Sequence, residues 1–403
     1  MPEPDQPRVA VLGIGADGWS GLTDEARSRV RDAEVLLGGD RHLRLVPDLP
    51  GQVRRPWPRP LADGLGPLLA EHEGRRVVAL ASGDPFVSGI GTTLVRLLGA
   101  DRLDVLPTVS SVALARARMG WSAESCAVVT TVGRDPHAVL RELAPDRRVL
   151  VLSSDADTPA TLAALLVDRG YGATGMTVLG DLGADDESRV AATAESWSGT
   201  VPALNVVALE LCGPLVGSWV AGLPDDAFEH DGQLTKRDLR ASALARLAPQ
   251  PGQLLWDVGA GAGSVGIEWL RAHPTCAAVA VEADPDRLAR AARNAARLGV
   301  PRLQTAGGRA PRALADLPAP HAVFVGGGAT APGLLDLCRA RLRPGGRLVV
   351  HGVTLETEAL LAAAYAEHGG ELTRLAVEHA APIGSFTGWT PARTVTQWSW
   401  SKP

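Results

Sequence analysis

Short, nearly continuous apolar runs punctuate the first half of the chain. RVAVLGIG (8–15), AEVLLGG (33–39), RRVVALASGDP (75–85) and LDVLPTVSS (103–111) read as strands, as do CAVVTTVG (126–133), RRVLVLSS (147–154), GMTVLGDLG (175–183) and ALNVVALEL (203–211). Runs apolar at successive positions suit a sheet covered on both faces. Between them the spacing turns helical. LTDEARSRVRDA is predicted to start at an N-cap Thr23 with acids in its first turn, and DTPATLAALLVDRG is predicted as a capped helix that stops at Gly170. Strands separated by helices indicate α/β units.

From Cys212 to about Leu234 the sustained period disappears into Gly, Pro and acids, and residues 213–229 read as a linker between domains 1–212 and 230–403. A fresh α/β series follows. TKRDLRASALARLA, SVGIEWLRAH, PDRLARAARNAARLG (Pro285 near N1, Gly299 as stop) and ETEALLAAAYAEHGG are predicted helices. QLLWDVG, AAVAVEAD, HAVFVGGG and GRLVVHGV are predicted strands, with ELTRLAVEHA and ARTVTQWSW as a closing hairpin. The halves share no sequence repeat. The picture is two unrelated α/β domains fused.

Composition narrows the function. At 403 residues and 45% hydrophobic, each half can bury a core, and a formal net charge of −5 argues against a nucleic-acid partner. No apolar run approaches the roughly 18 residues of a membrane span. The polar MPEPDQPRV start lacks a signal-peptide core, so a cytoplasmic protein is expected. Cys126, Cys212, Cys276 and Cys338 form no CxxC pair and no metal spacing, and read as reduced, mostly buried thiols. No metal site is expected.

Two glycine-rich turns carry the candidate chemistry. In LLWDVGAGAGSVG, Gly259, Gly261 and Gly263 follow a strand ending at Asp257, and Glu282 ends the next strand 19 residues after Gly263. Glycines let backbone approach a ligand, a helix N-terminus follows, and an acid at that distance suits ribose hydroxyls. Gly261-x-Gly263-x-x-Gly266 also satisfies the dinucleotide fingerprint, which keeps an NAD-dependent oxidoreductase open as an alternative. Asp257 argues against it, because a carboxylate there suits the cationic end of S-adenosylmethionine and repels a pyrophosphate. Together with VEADPDR, GGRAPRAL, VFVGGG and VTLETEAL, this stretch resembles the C15-methylating, decarboxylating domain of precorrin methyltransferases, a Rossmann-like class I methyltransferase fold, from about residue 230 to the C-terminus. The resemblance implies that Thr235, the stretch Gly259, Ala260, Gly261, Ala262 and Gly263, Glu282, Gly308 and Ala310 line the cofactor site, with Asp257 beside it. Two positions depart from the pattern: His321, where an acid usually precedes the strand, and His351, in place of a small polar residue.

The first turn, Gly13-x-Gly15-x-x-Gly18, is separated from its helix by WSGLT and is a poor dinucleotide turn. Its companions ASGDPFVSGIG and PTVSSVALARARMG give it meaning. The three in order resemble the two-lobed tetrapyrrole methylase superfamily over about residues 8–211, and most closely its C5-methylating members. That resemblance implies Gly13, Gly15, Ser82, Gly83, Asp84, Phe86, Val87 and Ser111 near S-adenosylmethionine, with Asp84 also able to touch substrate. As a whole, the fusion resembles the family of precorrin-6Y C5,15-methyltransferases of cobalamin biosynthesis. The implied reaction is methylation at C5 and C15 with loss of the ring C acetate carboxyl as CO2, giving precorrin-8X.

Methyl transfer from a sulfonium needs positioning more than a nucleophile, and no Ser/His/Asp or Cys/His arrangement is evident. A base is useful after attack, and His321 and His351, each read as ending a strand at the carboxyl edge of the sheet, are the proton-transfer candidates. A polycarboxylate tetrapyrrole calls for guanidinium forks and cations, for which Lys236, Arg237, Arg240 and Arg309 are candidates. A non-catalytic tetrapyrrole carrier is the alternative of a different class, and a homo-oligomer is expected.

Overall fold

The computed structural model describes residues 8–215 and 218–403. Residues 1–7 of the polar start, and Val216 and Gly217 of the expected linker, lie outside the described residues. Two compact units emerge. The first comprises the chain up to Pro136 together with Ala144–Pro214, and the second comprises His137–Leu143 with Leu215–Pro403.

In the first unit, β1 (Val9–Ile14), β2 (Val35–Gly38), β3 (Val53–Pro56), β4 (Val77–Ser82) and β5 (Leu103–Leu106) form a parallel sheet in the order β3-β2-β4-β1-β5. Alternate residues feed opposite cores. Val9, Val11, Leu37 and Ala79 face one layer, while Ala10, Leu12, Leu36 and Leu80 face the other. A second sheet, β6 (Cys126–Thr130), β7 (Arg148–Leu152), β8 (Gly175–Gly180), β9 (Ser188–Thr193) and β10 (Asn205–Glu210), runs β6-β7-β10-β8-β9 with only the β6–β7 pair parallel. The strands without an apolar signal, β3 and β9, are edges, where one side of the ladder needs no burial. Thr23 caps its helix by accepting from the Ala26 N–H. The helix Thr158–Asp168 gets no cap from Asp157. Asp155 instead accepts from the Thr158 N–H and hydroxyl.

In the second unit, β11 (Leu254–Val258), β12 (Ala277–Glu282), β13 (Gln304–Gly307), β14 (Ala322–Val325), β15 (Arg347–Gly352), β16 (Glu371–Leu375) and β19 (Val395–Ser401) make one sheet in the order β13-β12-β11-β14-β15-β19-β16. Only β19 runs antiparallel to its neighbours, wedged between β15 and β16. The expected hairpin therefore pairs as read, but it is interrupted by a two-stranded ladder, β17 (Glu378–Ile383) with β18 (Phe386–Pro391). Here too the strands split by parity. Leu255, Ala280, Phe324 and Val349 pack under the helices Arg237–Leu247, Ser264–Ala272 and Pro285–Arg297, whereas Trp256, Val281, Val323 and Val350 pack on the opposite side with Leu335 and Leu361.

The segment expected as a linker is fastened to this unit. Leu223 and Phe228 enter its core, and the buried Glu268 carboxylate accepts from the Gly222 and Leu223 N–H groups at 2.6 and 2.9 Å. Of the four cysteines only Cys276 and Cys338 are buried; Cys212 is exposed and Cys126 is intermediate.

Candidate active sites

The order of the second sheet reverses between β11 and β14, and ligands of such sheets bind outside the carboxyl ends at that crevice. The turn after β11 enters it through left-handed glycines, with φ of 70° at Gly259 and 56° at Gly261. A Cβ on Gly259 would lie 2.9 Å from the Gly327 amide, so glycine is what lets this turn lie against the loop after β14. Glu282, at the end of β12, ties the turn down: Oε2 accepts from the Gly261 N–H at 2.9 Å, and Oε1 accepts from Ala283 and Asp284 at 2.8 and 3.1 Å. A cavity of about 1280 Å3 opens here. It exceeds the usual range of roughly 300–1,000 Å3 for one small ligand, leaving room for a second. Thr235, Lys236, Gly259, Ala260, Gly261, Glu282, Gly308, Arg309, Ala310 and His351 all line it. The glycine cradle and the acceptor at the β12 terminus fit a nucleoside-bearing cofactor.

The first unit holds a cavity of about 370 Å3 reached by the ends of β1 and β4 from one sheet and by β7, β8 and β10 from the other. Gly15, Ser82, Gly83, Asp84, Val87 and Ser111 line it as expected. Two further groups were not legible in the sequence. Arg41 Nη2 donates to Ser82 Oγ at 3.1 Å, and His42 Nε2 lies 2.9 Å from the same oxygen. Burial, with the Arg41 charge beside it, pushes His42 down to about 4. They sit in DRHLR, a helix of five residues with no motif around it, and only tertiary contact brings them to Ser82.

Several expected residues stand elsewhere. Gly13 does not line the cavity; a Cβ there would fall 1.9 Å from the Gly83 carbonyl, so its role is to let the SGDP turn close on β1. Phe86 is 49% exposed and does not line the cavity. Ala262 and Gly263 are buried beneath the second turn rather than facing the cavity, and Arg237 is exposed outside it. Asp257 does not meet the ligand space. It is turned under the turn, where Oδ2 accepts from the Gly266 N–H at 2.8 Å and Oδ1 has no partner. Arg240 is fully buried, with Nε donating to Glu268 at 2.5 Å, and does not line the cavity. His321 precedes β14 and so lies at the amino edge of the sheet, not the carboxyl edge, where its Nδ1 accepts from the Leu254 N–H at 3.0 Å. His351 is at the carboxyl end of β15, as read.

Two family models match the chain: one described as tetrapyrrole (corrin/porphyrin) methylases over residues 8–197, and one described as a precorrin methyltransferase domain over residues 226–402. A Sinorhizobium protein named precorrin-6Y C(5,15)-methyltransferase [decarboxylating] is 44% identical over 98% of this chain and 97% of its own length. The chain belongs to the precorrin-6Y C5,15-methyltransferase (decarboxylating) family. Shorter relatives of this methyltransferase carry the two activities in their names singly. The cobalt-precorrin-7 C(5)-methyltransferase of Salmonella typhimurium is 31% identical over 44% of this chain and 87% of its own length. The probable cobalt-precorrin-6B C(15)-methyltransferase (decarboxylating) of Pyrobaculum calidifontis is 35% identical over 43% of this chain and 92% of its own length. A C-methyltransferase uses a methyl donor, so the oxidoreductase and carrier alternatives fall away. No helix among the described residues is long and apolar enough to cross a membrane.

Proposed function

We propose that this chain transfers methyl groups from S-adenosylmethionine to C5 and C15 of precorrin-6Y and releases the ring C acetate carboxyl as CO2, giving precorrin-8X. The observation that carries the reading is one chain with two separate cavities, each bordered by glycines at strand ends. The names of the single-activity relatives support assigning the C5 transfer to the first unit and the C15 transfer with decarboxylation to the second. Self-association into a homo-oligomer belongs to the same reading, supported by the exposed Ile383, Phe386 and Trp389 on the β17–β18 ladder.

When bound, S-adenosylmethionine supplies a methyl already activated on a sulfonium. In the second unit, Glu282 would accept from the nucleoside end, the side-chain-free backbone of Gly259 and Gly261 would let it lie close, and Thr235 and Ala310 would wall the same space. In the first, Gly15, Ser82, Gly83, Val87 and Ser111 would do so, with Asp84 available to either ligand. What the protein adds is placement of the nucleophilic ring carbon against that methyl and exclusion of water. Lys236 and Arg309 line the second cavity as cations for substrate carboxylates.

Mass spectrometry of product made from precorrin-6Y and methyl-deuterated S-adenosylmethionine tests the reading: two labelled methyls gained and one CO2 lost are expected. Ser111→Trp, which fills the smaller cavity, should remove one methyl and leave CO2 loss intact. A product from the parent protein lacking either change would overturn the assignment. Glu282→Gln loses a charge-assisted acceptor for a ribose diol, a contact worth about 1.5–3 kcal/mol. Calorimetry should show S-adenosylhomocysteine binding to the second unit weakened by roughly 10–100-fold, with the first unit unaffected.

A further inference from the structure

His351, Gln397 and Thr373 stand in one row across β15, β19 and β16, each directly opposite the next. Direct partners share a sheet face, and the helix Arg237–Leu247 packs against β15 and β19. From that helix, Arg246 donates to both oxygens of Glu371 at 3.0 and 2.6 Å and to Ser242 Oγ at 3.0 Å. These bonds hold the guanidinium beside the Gln397 amide. A guanidinium only donates, so the amide must turn its oxygen toward Arg246, accepting from Nη1 at 3.2 Å and sharing with Glu371 the single Nε–H, at 3.0 Å. The Gln397 NH2 then donates to His351 Nε2 at 2.9 Å. An imidazole nitrogen that accepts carries no proton, so the ring hydrogen is on Nδ1. Phe324 fixes the ring plane edge-on, with centroids 5.0 Å apart at 84°.

The other nitrogen is free to act. No described residue partners Nδ1, that atom is not sealed from solvent, and His351 lines the larger cavity. Burial pushes the imidazole down to about 4, and Arg246 beside the amide opposes a second positive charge. With the amide NH2 facing Nε2, nothing there rewards protonation.

We propose that Arg246 and Gln397 are positioning residues that lock His351 as the neutral Nδ1–H tautomer, so that it offers the cavity a hydrogen-bond donor for a carboxylate rather than a base. The carboxylate rests on the function proposed above and has two sources, the tetrapyrrole acetates or the amino-acid end of the methyl donor. The tautomer rests on this structure alone. This replaces the proton-transfer role expected for His351 from the sequence.

The test uses the full chain, labelled with 15N-histidine, and long-range 1H–15N correlation of the ligand-free protein at neutral pH, with His351→Gln to assign the signal. A protonated Nδ1 and a bare Nε2 are expected; an Nε2–H ring or an imidazolium overturns the proposal. Arg246→Met frees the amide to turn over and Gln397→Met removes it, so each should raise the Nε2–H form to a population comparable with the Nδ1–H form. An unchanged tautomer in a folded variant overturns the assigned role. Ligand arms then separate the sources. A downfield shift of the His351 Nδ1 proton with S-adenosylhomocysteine, but not with carboxylate-free 5′-methylthioadenosine, points to the donor's carboxylate. A shift with the octacarboxylate uroporphyrin III alone points to the substrate's. Titration of all three without any shift overturns the carboxylate contact while leaving the tautomer result readable.

Discussion

Arg240→Met is expected to destabilise the second unit by about 3–5 kcal/mol, the cost of stranding the partner of a buried ion pair. The guanidinium is wholly buried and makes four hydrogen bonds within the protein. Nε goes to Glu268 at 2.5 Å, Nη1 to Asp225 at 3.3 Å and to the Thr235 carbonyl, and Nη2 to the Leu223 carbonyl, while its face lies 4.7 Å from the Phe228 ring centre. Removing it leaves the Glu268 carboxyl in a sealed site without its ion-pair partner, keeping the Gly222 and Leu223 amides and the nearby Arg271 charge. Those amides fasten the segment before the helix to the sheet domain, so the loss should be local. Urea unfolding read by hydrogen-exchange mass spectrometry should show early exposure of residues 222–228 and the helix Arg237–Leu247. The exposed neighbour is the control: Arg237→Ala should change stability by no more than about 0.5 kcal/mol. A loss below about 1 kcal/mol for Arg240→Met would mean that the pair does not fasten the segment.

Asp257→Asn is expected to change the pH dependence of the same unit's stability by up to about 4 kcal/mol, the worth of a shift of about three pH units. Burial pushes the Asp257 carboxyl up to about 7, opposed by its bond from the Gly266 amide and aided by the nearby Glu282 charge. A carboxyl raised in the folded state favours folding below its unfolded value, near pH 4, and that contribution is lost as pH climbs through 7. Asparagine cannot ionise. Its carbonyl can still take the Gly266 N–H, but its NH2 meets the place where Oδ1 finds no partner, a loss of about 1–3 kcal/mol. The variant should therefore be less stable than the parent at pH 4 and should equal or surpass it by pH 8. Unfolding midpoints at both pH values, followed through peptides of β11, β12 and β14, check this. A gap that does not narrow with pH would show that the buried carboxyl stays ionised throughout.

The strands with both faces apolar were legible because each must fill two cores at once, as Leu255 and Trp256 do on opposite sides of β11. The glycine turns were legible because their backbone needs no side chain: Gly259 and Gly261 adopt left-handed angles that the spacing GxGxG announces. Edge strands β3, β9 and β13 were not, since an edge carries little apolar signal. Nor could residue type tell Arg237 from Arg240, three places apart on one helix, one in water and the other sealed on Glu268.

By itself, the sequence determined two α/β parts with glycine turns at strand ends, because periodicity, glycine spacing and the acid ending β12 are local properties of the chain; the tetrapyrrole methyltransferase reading came from the resemblance of its motifs to that family. Only the tertiary structure decided which charged groups are available for chemistry. It turned Asp257 under the turn, set His321 at the amino edge of the sheet, brought Arg41 and His42 to Ser82, and surrounded His351 with Gln397 and Arg246. The reason is physical: ionisation, tautomer and donor capacity depend on desolvation and on partners distant in sequence, and neither is written at the residue itself.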